Sequence, residues 1–235
     1  MTSAHRAGSL SVGATCKGSD ESEDGAATMA GRTRKTFNAA ITVVPANKAR
    51  WDDLQAVFGP RGYAARCQCQ HFKIRHAEWR SVSAAERAER LHTQTGCGNR
   101  KARRTSGLVA YLDGEPVGWC AVEPRTAYPR LRDTRIPWIG RAEDPRDDGV
   151  WAVTCFVTRV GFRRRGVMRA LARAAVGFAR EHGARALEGY AMITKAGQEI
   201  VWGELYVGSR SIFADAGFAE VSRPTPRRVV MRIDF

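Results

Sequence analysis

One stretch of the chain joins a strand, a basic loop and a helix: Phe156-Val-Thr-Arg-Val-Gly-Phe-Arg-Arg-Arg-Gly-Val-Met-Arg-Ala-Leu171. The apolar, β-branched residues 150–158 predict a buried strand. The apolar repeat over residues 166–181 predicts a long amphipathic helix that follows the loop directly. This order would aim backbone N–H groups and a helix N-terminus at one point, surrounded by guanidinium groups. Such a point favours a phosphate-bearing anion.

The loop pattern Arg163-Arg-Arg-Gly166 resembles the Arg-x-x-Gly of motif A in the GNAT (GCN5-related) N-acetyltransferases. In that family the loop holds the pyrophosphate of acetyl-CoA, so the resemblance implies acetyl-CoA as cosubstrate. Taken alone, the arginines could also form a solvated turn, but a place between a buried strand and a helix start is typical of an anion site. The residues expected to bind the cosubstrate are Phe156, Val157, Thr158, Arg163, Arg164, Arg165, Gly166, Val167 and Met168.

The resemblance covers residues 107–235 well and residues 38–106 loosely. It implies a GNAT-like α/β (α+β) fold, in which helices flank a central mixed, mostly antiparallel sheet. Ser83 and Glu86 form a capping-box pair at the start of one predicted helix, and Asp113-Gly114 predicts a hairpin turn. The predicted strands are 39–45, 108–112, 116–122, 150–158, 184–191 and 228–235, and the predicted helices are 46–58, 84–94, 166–181 and 209–216.

The 235 residues suit one domain with an extension, and 43% of them are hydrophobic, which is enough for a core. Residues 1–37 are rich in Ser, Gly, Thr and charge, so we expect a disordered tail before a domain at 38–235. Met29, just before the first patterned segment, is our hypothesis for the true initiator. No apolar run approaches the ~18 residues of a membrane span, and no signal-peptide layout opens the chain. We therefore expect a cytoplasmic protein without a membrane partner.

The net charge of +14 suits a polyanionic partner, either CoA phosphates or nucleic acid. A nucleic-acid-binding protein that uses loops 99–106 and 159–165 is therefore an alternative function. No helix-turn-helix or RNA-binding module pattern supports it, so nucleic acid is the less expected partner. A second alternative is a CoA-binding sensor of the same fold that does not catalyse.

In the transfer of an acetyl group to an amine, the thiolate leaves more easily if a hydroxyl that can act as an acid is close by. Many members of the family place a Tyr for this purpose four residues before the glycine that corresponds to Gly217, where this chain has Phe213. We expect Tyr206 to replace it as the acid, with Tyr190 as second choice. Either tyrosine could instead be a core residue with a satisfied hydroxyl.

Two carboxylates are candidates for the base that takes a proton from the ammonium form of the substrate. Glu188 shares a strand face with Tyr190, in a strand that the resemblance places beside the cosubstrate, and it is the first candidate. Its alternative role is an exposed, solvated carboxylate at a strand end. Glu123, at the end of a hairpin strand, could instead contact the substrate amine.

The run Cys67-Gln-Cys69-Gln-His71 invites a zinc-site interpretation. Cys-x-Cys lacks the two-to-four-residue spacing of zinc ligands, and no second compact pair follows it. We therefore expect reduced thiols and no metal. The acceptor is expected to be a small-molecule or peptide amine, held by the first two helices and residues 124–149 and 192–207. Nothing in the pattern indicates an oligomeric state.

Overall fold

The computed structural model describes residues 40–194 and 202–235. The predicted tail, residues 1–37, and the proposed initiator Met29 lie outside the described residues. Within the two described ranges, no helix combines the length and the apolar character that crossing a membrane requires.

Seven strands of the described chain form one sheet in the order β1-β2-β3-β4-β5-β7-β6. Every neighbouring pair is antiparallel except β4 and β5, which run parallel. The predicted mixed, mostly antiparallel sheet is confirmed. The strands are β1 Ile41–Pro45, β2 Gly107–Leu112, β3 Glu115–Pro124, β4 Val150–Thr158, β5 Ala186–Met192, β6 Ala219–Thr225 and β7 Arg228–Asp234.

Six α-helices accompany the sheet in the described part of the chain, and short 3-10 turns join some of the elements. The 3-10 turns are Ala46–Lys48, Arg125–Ala127 and Trp202–Val207. The α-helices are α1 Trp51–Phe58, α2 Tyr63–Cys67, α3 Ala84–Thr95, α4 Pro129–Arg132, α5 Val167–Glu181 and α6 Arg210–Ala214.

The main core lies between the sheet and α5, the helix that connects the two parallel strands. Val167, Leu171 and Phe178 repeat on the inner face of α5, and all three are buried. They belong to the same cluster as Cys120 and Val122 of β3. This repeat is the amphipathic pattern that predicted the helix, and burial of its apolar stripe is what holds α5 on the sheet.

A second core covers the opposite face of the sheet. Trp119 and Ala121, which alternate with the residues that face α5, pack with Leu54 and Phe58 of α1 and with Leu91 of α3. Because successive residues of a strand point to opposite faces, β3 separates the two cores. The helices therefore lie on both sides of the sheet, as the predicted architecture requires.

The structure corrects several predicted elements. Residues 46–58 form a 3-10 turn and then α1, with extended backbone at Ala49 and Arg50 between them. The edge strand β6 and the turn Trp202–Val207 were not predicted. The cap of α3 is confirmed, since the Ser83 hydroxyl accepts a hydrogen bond from the Glu86 backbone N–H at 3.1 Å.

Candidate functional site

The two parallel strands at the centre of the sheet part halfway along their length. Their pairing ends where Val153 lies opposite Gly189, whereas β4 continues to Thr158 and β5 to Met192. The β5-facing edge of residues 154–158 has no strand partner among the described residues. Backbone N–H and C=O groups need hydrogen-bond partners, so this edge can bind a ligand that lies in the gap.

A β-bulge at Thr154 marks the point where the strands part. Cys155 lies opposite Ala121 of β3 and Val153 lies opposite Val122, so Thr154 is an extra residue on β4. A bulge bends its strand and increases the local twist. Because it follows the last residue paired with β5, the bend accounts for the separation of the two strands.

The loop after β4 presents an open helix N-terminus. Gly166, which precedes α5, has a φ of 81°, and Arg164 has a φ of 61°, so both residues lie in the left-handed region. No side chain caps the first turn of α5, and the side chains of residues 163–165 are exposed. The first N–H groups of the helix and the positive end of its dipole are therefore accessible to an anion. This arrangement fits the phosphate groups of a nucleotide-like cosubstrate.

The other residues expected to bind the cosubstrate divide into two groups. Phe156 and Val167 are only 2% exposed and belong to the core beneath α5, so their backbone atoms alone can reach a ligand. Met168 packs against the same core. Val157 and Thr158, at the end of β4, are partly exposed.

A cavity of about 230 Å³ opens beside the gap between β4 and β5. It reaches β5 at Tyr190, the residue that follows the last pair of the parallel strands. Its walls come from the loop after α2, the segment after α4, the turn Trp202–Val207 and the start of β7. Its polar lining includes His71, Arg130, Tyr206 and Arg228.

Tyr206 stands between this cavity and β4. It lines the cavity, and it also packs against the cluster that contains Cys155 of β4. Burial raises the pKa of Tyr206 to about 12, although the charges of Arg228 and Arg130 act in the opposite direction. The hydroxyl is therefore protonated at neutral pH and can donate a proton or a hydrogen bond.

His71 forms another wall of the cavity. Its ring makes edge contacts with Phe72, Trp79 and Tyr206, and its buried Nδ1 has no hydrogen-bond partner within the described ranges. Burial, helped by the charge of Arg130, lowers the pKa of His71 to about 4. The imidazole is therefore neutral at pH 7.

The lowered pKa of His71 predicts a pH-dependent stability. Below pH 6.5 His71 binds a proton in the unfolded chain, whereas in the folded protein it stays neutral down to about pH 4. Protonation therefore favours the unfolded chain, and the free energy of unfolding falls as the pH falls between these two values. Between pH 7 and 5.5 we expect a loss of about 1 kcal/mol. Urea denaturation of the protein and of His71→Gln at both pH values measures it. An equal loss in the variant would assign the effect to other groups.

Glu188 is fully buried, so the alternative of a solvated carboxylate at a strand end is wrong. Three arginines surround it. Arg232 Nη1 lies 2.9 Å from Oε1, Arg125 Nη1 lies 3.6 Å from Oε2, and Arg141 binds both oxygens. These cations come from β7, from the turn after β3 and from the segment before β4. The ion pairs occupy the carboxylate, which makes Glu188 a buried counter-ion rather than a free base.

Tyr190 is tied to the same network. Its hydroxyl donates a hydrogen bond to Glu188 Oε2 at 3.1 Å, as their shared strand face predicts. Burial and the adjacent carboxylate raise the pKa of Tyr190 well above its ordinary value. Its ring lines the cavity, but its proton is directed at Glu188.

Glu123 is a second carboxylate on this face of the sheet. It lies opposite Ala152, which lies in turn opposite Glu188, so the two acids flank Ala152 in one row across the sheet. Glu123 forms an ion pair with Lys73 and retains 18% of its side-chain exposure. Burial raises its pKa, and Lys73 opposes that effect. The Tyr128 hydroxyl is adjacent to the carboxylate.

Phe213 is completely buried. Its ring lies edge-on to Phe156 and Phe218 and covers Gly189, where an added Cβ would come within 2.3 Å of the ring atom Cζ. A tyrosine hydroxyl is attached at Cζ, so it would be directed at the Gly189 backbone and not at a ligand. The packing of this chain therefore excludes an acid at this position.

The buried thiols lie near one another without forming a metal site. Cys67 is the last residue of α2, and Cys69 lies two residues after it. Cys69 packs with Cys155 in the second core. Burial raises the pKa of Cys67 to about 11, which keeps it as a thiol at neutral pH. Within the described ranges, no group of three or more His, Cys, Asp or Glu side chains is arranged to hold a metal ion.

Sequence reasoning did not identify several residues of this region. Arg125, Arg141 and Arg232 converge on Glu188 from sequence separations of 44 to 63 residues, and Arg130 and Arg228 meet at the cavity in the same way. No local pattern distinguishes these arginines from the other basic residues of the chain. Arg130 lies in a proline-containing segment, and Arg228 opens the last strand.

Comparisons with known structures give fold likenesses at low identity. An acetyltransferase is 18% identical over 82% of this chain and 98% of its own, with a TM-score of 0.49. An N-acetyltransferase from Staphylococcus aureus Mu50 is 12% identical over 83% and 99%, with a TM-score of 0.47. A PaiA N-acetyltransferase from Thermoplasma acidophilum, solved in complex with coenzyme A, is 11% identical over 83% and 99%, with a TM-score of 0.45.

No curated protein matches the sequence. The sequence model of the family described as "Acetyltransferase (GNAT) family" matches residues 71–196, which is more than half of the chain. The matched region contains the bulged strand β4, the arginine loop and α5. The resemblance read from Arg163-Arg-Arg-Gly166 is thereby confirmed, and the chain belongs to the GNAT acetyltransferase family.

Proposed function

We propose that the protein transfers an acetyl group from acetyl-CoA to a primary amine. The observation that carries this proposal is the parting of β4 from β5 directly before an uncapped helix N-terminus. The unpaired edge of residues 154–158 can bind amide groups, and the loop Arg163–Gly166 can bind phosphates. Acetyl-CoA has both kinds of group, and when bound it supplies the acetyl group as an activated thioester.

The residues assigned to the cosubstrate act in two ways. The unpaired edge of β4 at Phe156, Val157 and Thr158 provides backbone N–H and C=O groups. The loop provides the side chains of residues 163–165 and the N–H groups that follow Gly166, with Val167 and Met168 contributing backbone atoms. Holding two reactants in one geometry supplies much of the rate of such a transfer.

The acceptor is assigned to the cavity that ends at Tyr190. Within the described chain this cavity adjoins the gap between the strands, so an amine there would lie next to the open edge of β4. An amine bound as ammonium must lose a proton before it can attack. We assign that proton to Glu123 rather than to Glu188. Glu123 faces one cation, Lys73, and keeps 18% of its side-chain exposure, whereas three arginines hold the fully buried Glu188.

We assign Tyr206 as the proton donor on the side of β4. It keeps its proton at neutral pH, and it contacts both the cavity and the cluster around Cys155. Tyr190 is the weaker candidate, because its hydroxyl is already bonded to Glu188. The overall reaction is balanced: starting from the ammonium form, nitrogen gains the acetyl group and loses two protons. Sulfur takes one of these protons as it loses the acetyl group, and the other passes through the base to solvent.

Release of free thiol from acetyl-CoA in the presence of primary amines tests the function. We expect saturable turnover with the protein, and a kcat at least about 10-fold lower in Tyr206→Phe, since general acids contribute roughly 100-fold or more. Tyr63→Phe is the matched control. It also removes one tyrosine hydroxyl, and the centre of the Tyr63 ring lies 6.5 Å from the centre of the Tyr206 ring.

Each outcome of this assay has a defined meaning. An unchanged kcat in Tyr206→Phe would remove Tyr206 from the mechanism. Calorimetric binding of acetyl-CoA without turnover of any amine would favour a CoA-binding sensor. Absence of acetyl-CoA binding would contradict the proposed function, and the basic surface would then be tested with DNA and RNA at several salt concentrations.

A further inference from the structure

The cavity beside Tyr206 contains two arginines that lack acidic partners. Arg130 and Arg228 both line it, and neither forms an ion pair with a carboxylate of residues 40–194 or 202–235. The arginines around Glu188 behave differently, since Arg125, Arg141 and Arg232 are all paired with its carboxylate. The two cavity arginines therefore carry charge that the described protein does not neutralise.

Both charges act on the interior of the cavity. Arg228 and Arg130 each oppose the rise in the pKa of Tyr206, and Arg130 lowers the pKa of His71. Charges shift the pKa of a group only over short distances, so Arg130 lies near both rings and Arg228 lies near Tyr206. His71 is neutral, and no described lining residue is acidic. The described lining of the cavity is therefore positively charged at neutral pH.

The rest of the lining is apolar and encloses a small volume. Phe72, Leu131 and Ile136 form apolar walls beside the rings of His71 and Tyr206. The volume of about 230 Å³ is below the roughly 300–1,000 Å³ of typical small-molecule sites. A single small molecule with an apolar body fits this space better than an extended chain.

On the basis of the proposed function, we propose that the acceptor is a small primary amine that also carries an anionic group, which Arg130 and Arg228 bind. Guanidinium groups bind carboxylates and phosphate-like groups through paired, charge-assisted hydrogen bonds. The apolar walls would hold the body of the molecule and leave its amine toward Tyr190 and the gap.

The same charges select against other amines. A polyamine or a lysine side chain in a basic peptide would bring further positive charge toward two unneutralised guanidinium groups. Repulsion of this kind is a common source of specificity. α-Amino acids and α-aminophosphonates represent the proposed class, whereas their amides keep the amine and the side chain but lose the anion.

The experiment is a thiol-release assay with matched acceptors. The acceptors form sets that share one side chain: an α-amino acid, the corresponding α-aminophosphonate and the amide of the α-amino acid. Polyamines are tested as a further set. We expect kcat/KM to be at least about 10-fold higher for one of the two anionic forms than for the amide of the same side chain. The carboxylate and phosphonate arms show which anion is preferred.

Variants connect the preference to the two arginines. Arg130→Gln and Arg228→Gln are each expected to reduce kcat/KM for the anionic acceptor at least about 10-fold, mainly through KM, because a binding contact is lost. The amide should change less than about 3-fold. Arg132→Gln is the matched control, since Arg132 lies two residues from Arg130, is exposed and does not line the cavity.

Calorimetry with acetyl-CoA separates failure of this inference from failure of the proposed function. If acetyl-CoA does not bind, the proposed function is wrong. If acetyl-CoA binds and the amides or polyamines are acetylated as well as the anionic forms, the inference is overturned. Turnover of no anionic acceptor by a protein that binds acetyl-CoA overturns it as well, as does a preference that survives in both variants.

Discussion

Gly166→Glu is expected to weaken binding of acetyl-CoA at least about 100-fold, which corresponds to roughly 3 kcal/mol. The change places a carboxylate at the open N-terminus of α5, where we assign the phosphates of the cosubstrate. A negative side chain there would occupy the N–H groups itself and repel the incoming anion. Calorimetric titration of acetyl-CoA into the protein and the variant measures the difference.

Gly183→Glu is the matched control for this variant. Gly183 follows the C-terminus of the same helix with a φ of 80°, against 81° for Gly166. A Cβ added at either glycine would meet no atom closer than 4.0 Å, so both substitutions carry the same backbone strain and the same charge. We expect the control to change the affinity less than about 3-fold. Equal losses in both variants would contradict the assignment of the phosphate site.

The sequence predicted those parts of the fold that depend on local patterns. The loop around Gly166 and helix α5 could be read directly, because the apolar repeat of the helix and the break before it lie within a few turns of one another. The cap at Ser83 was predictable for the same reason, since its hydrogen bond joins residues three apart. The loop pattern at residues 163–166 was the most specific feature of the family resemblance.

Structural features that have no local sequence pattern were not predicted. Strand β6 lies at the edge of the sheet and contains Pro224 with alternating exposed residues, so it lacks the apolar run that marks a buried strand. The bulge at Thr154 depends on the register between β3 and β4, which no segment shows by itself. Because this bulge separates β4 from β5, the sequence indicated candidate residues of the site but not the gap between the two strands.

For the candidate catalytic residues, too, local relations could be predicted from the sequence and long-range contacts could not. Glu188 and Tyr190 were correctly placed on one face of β5, which follows from the period of a strand. The three arginines that occupy Glu188 come from distant segments, so their effect on its role could not be predicted. Tyr206 and the cavity arginines are also brought together only by the tertiary fold.

Glu188→Gln is expected to reduce the free energy of unfolding by about 3–5 kcal/mol, because removing one partner of a buried ion pair leaves the opposing charge uncompensated. Here three guanidinium groups would lose a shared carboxylate that is 0% exposed. Urea denaturation at pH 7 measures the loss. Glu220→Gln is the control, since Glu220 pairs with Arg210 and Arg223 at the surface and should contribute at most about 1 kcal/mol. A stable Glu188→Gln protein with normal acetyl-CoA binding and a greatly reduced kcat would instead restore Glu188 as the base.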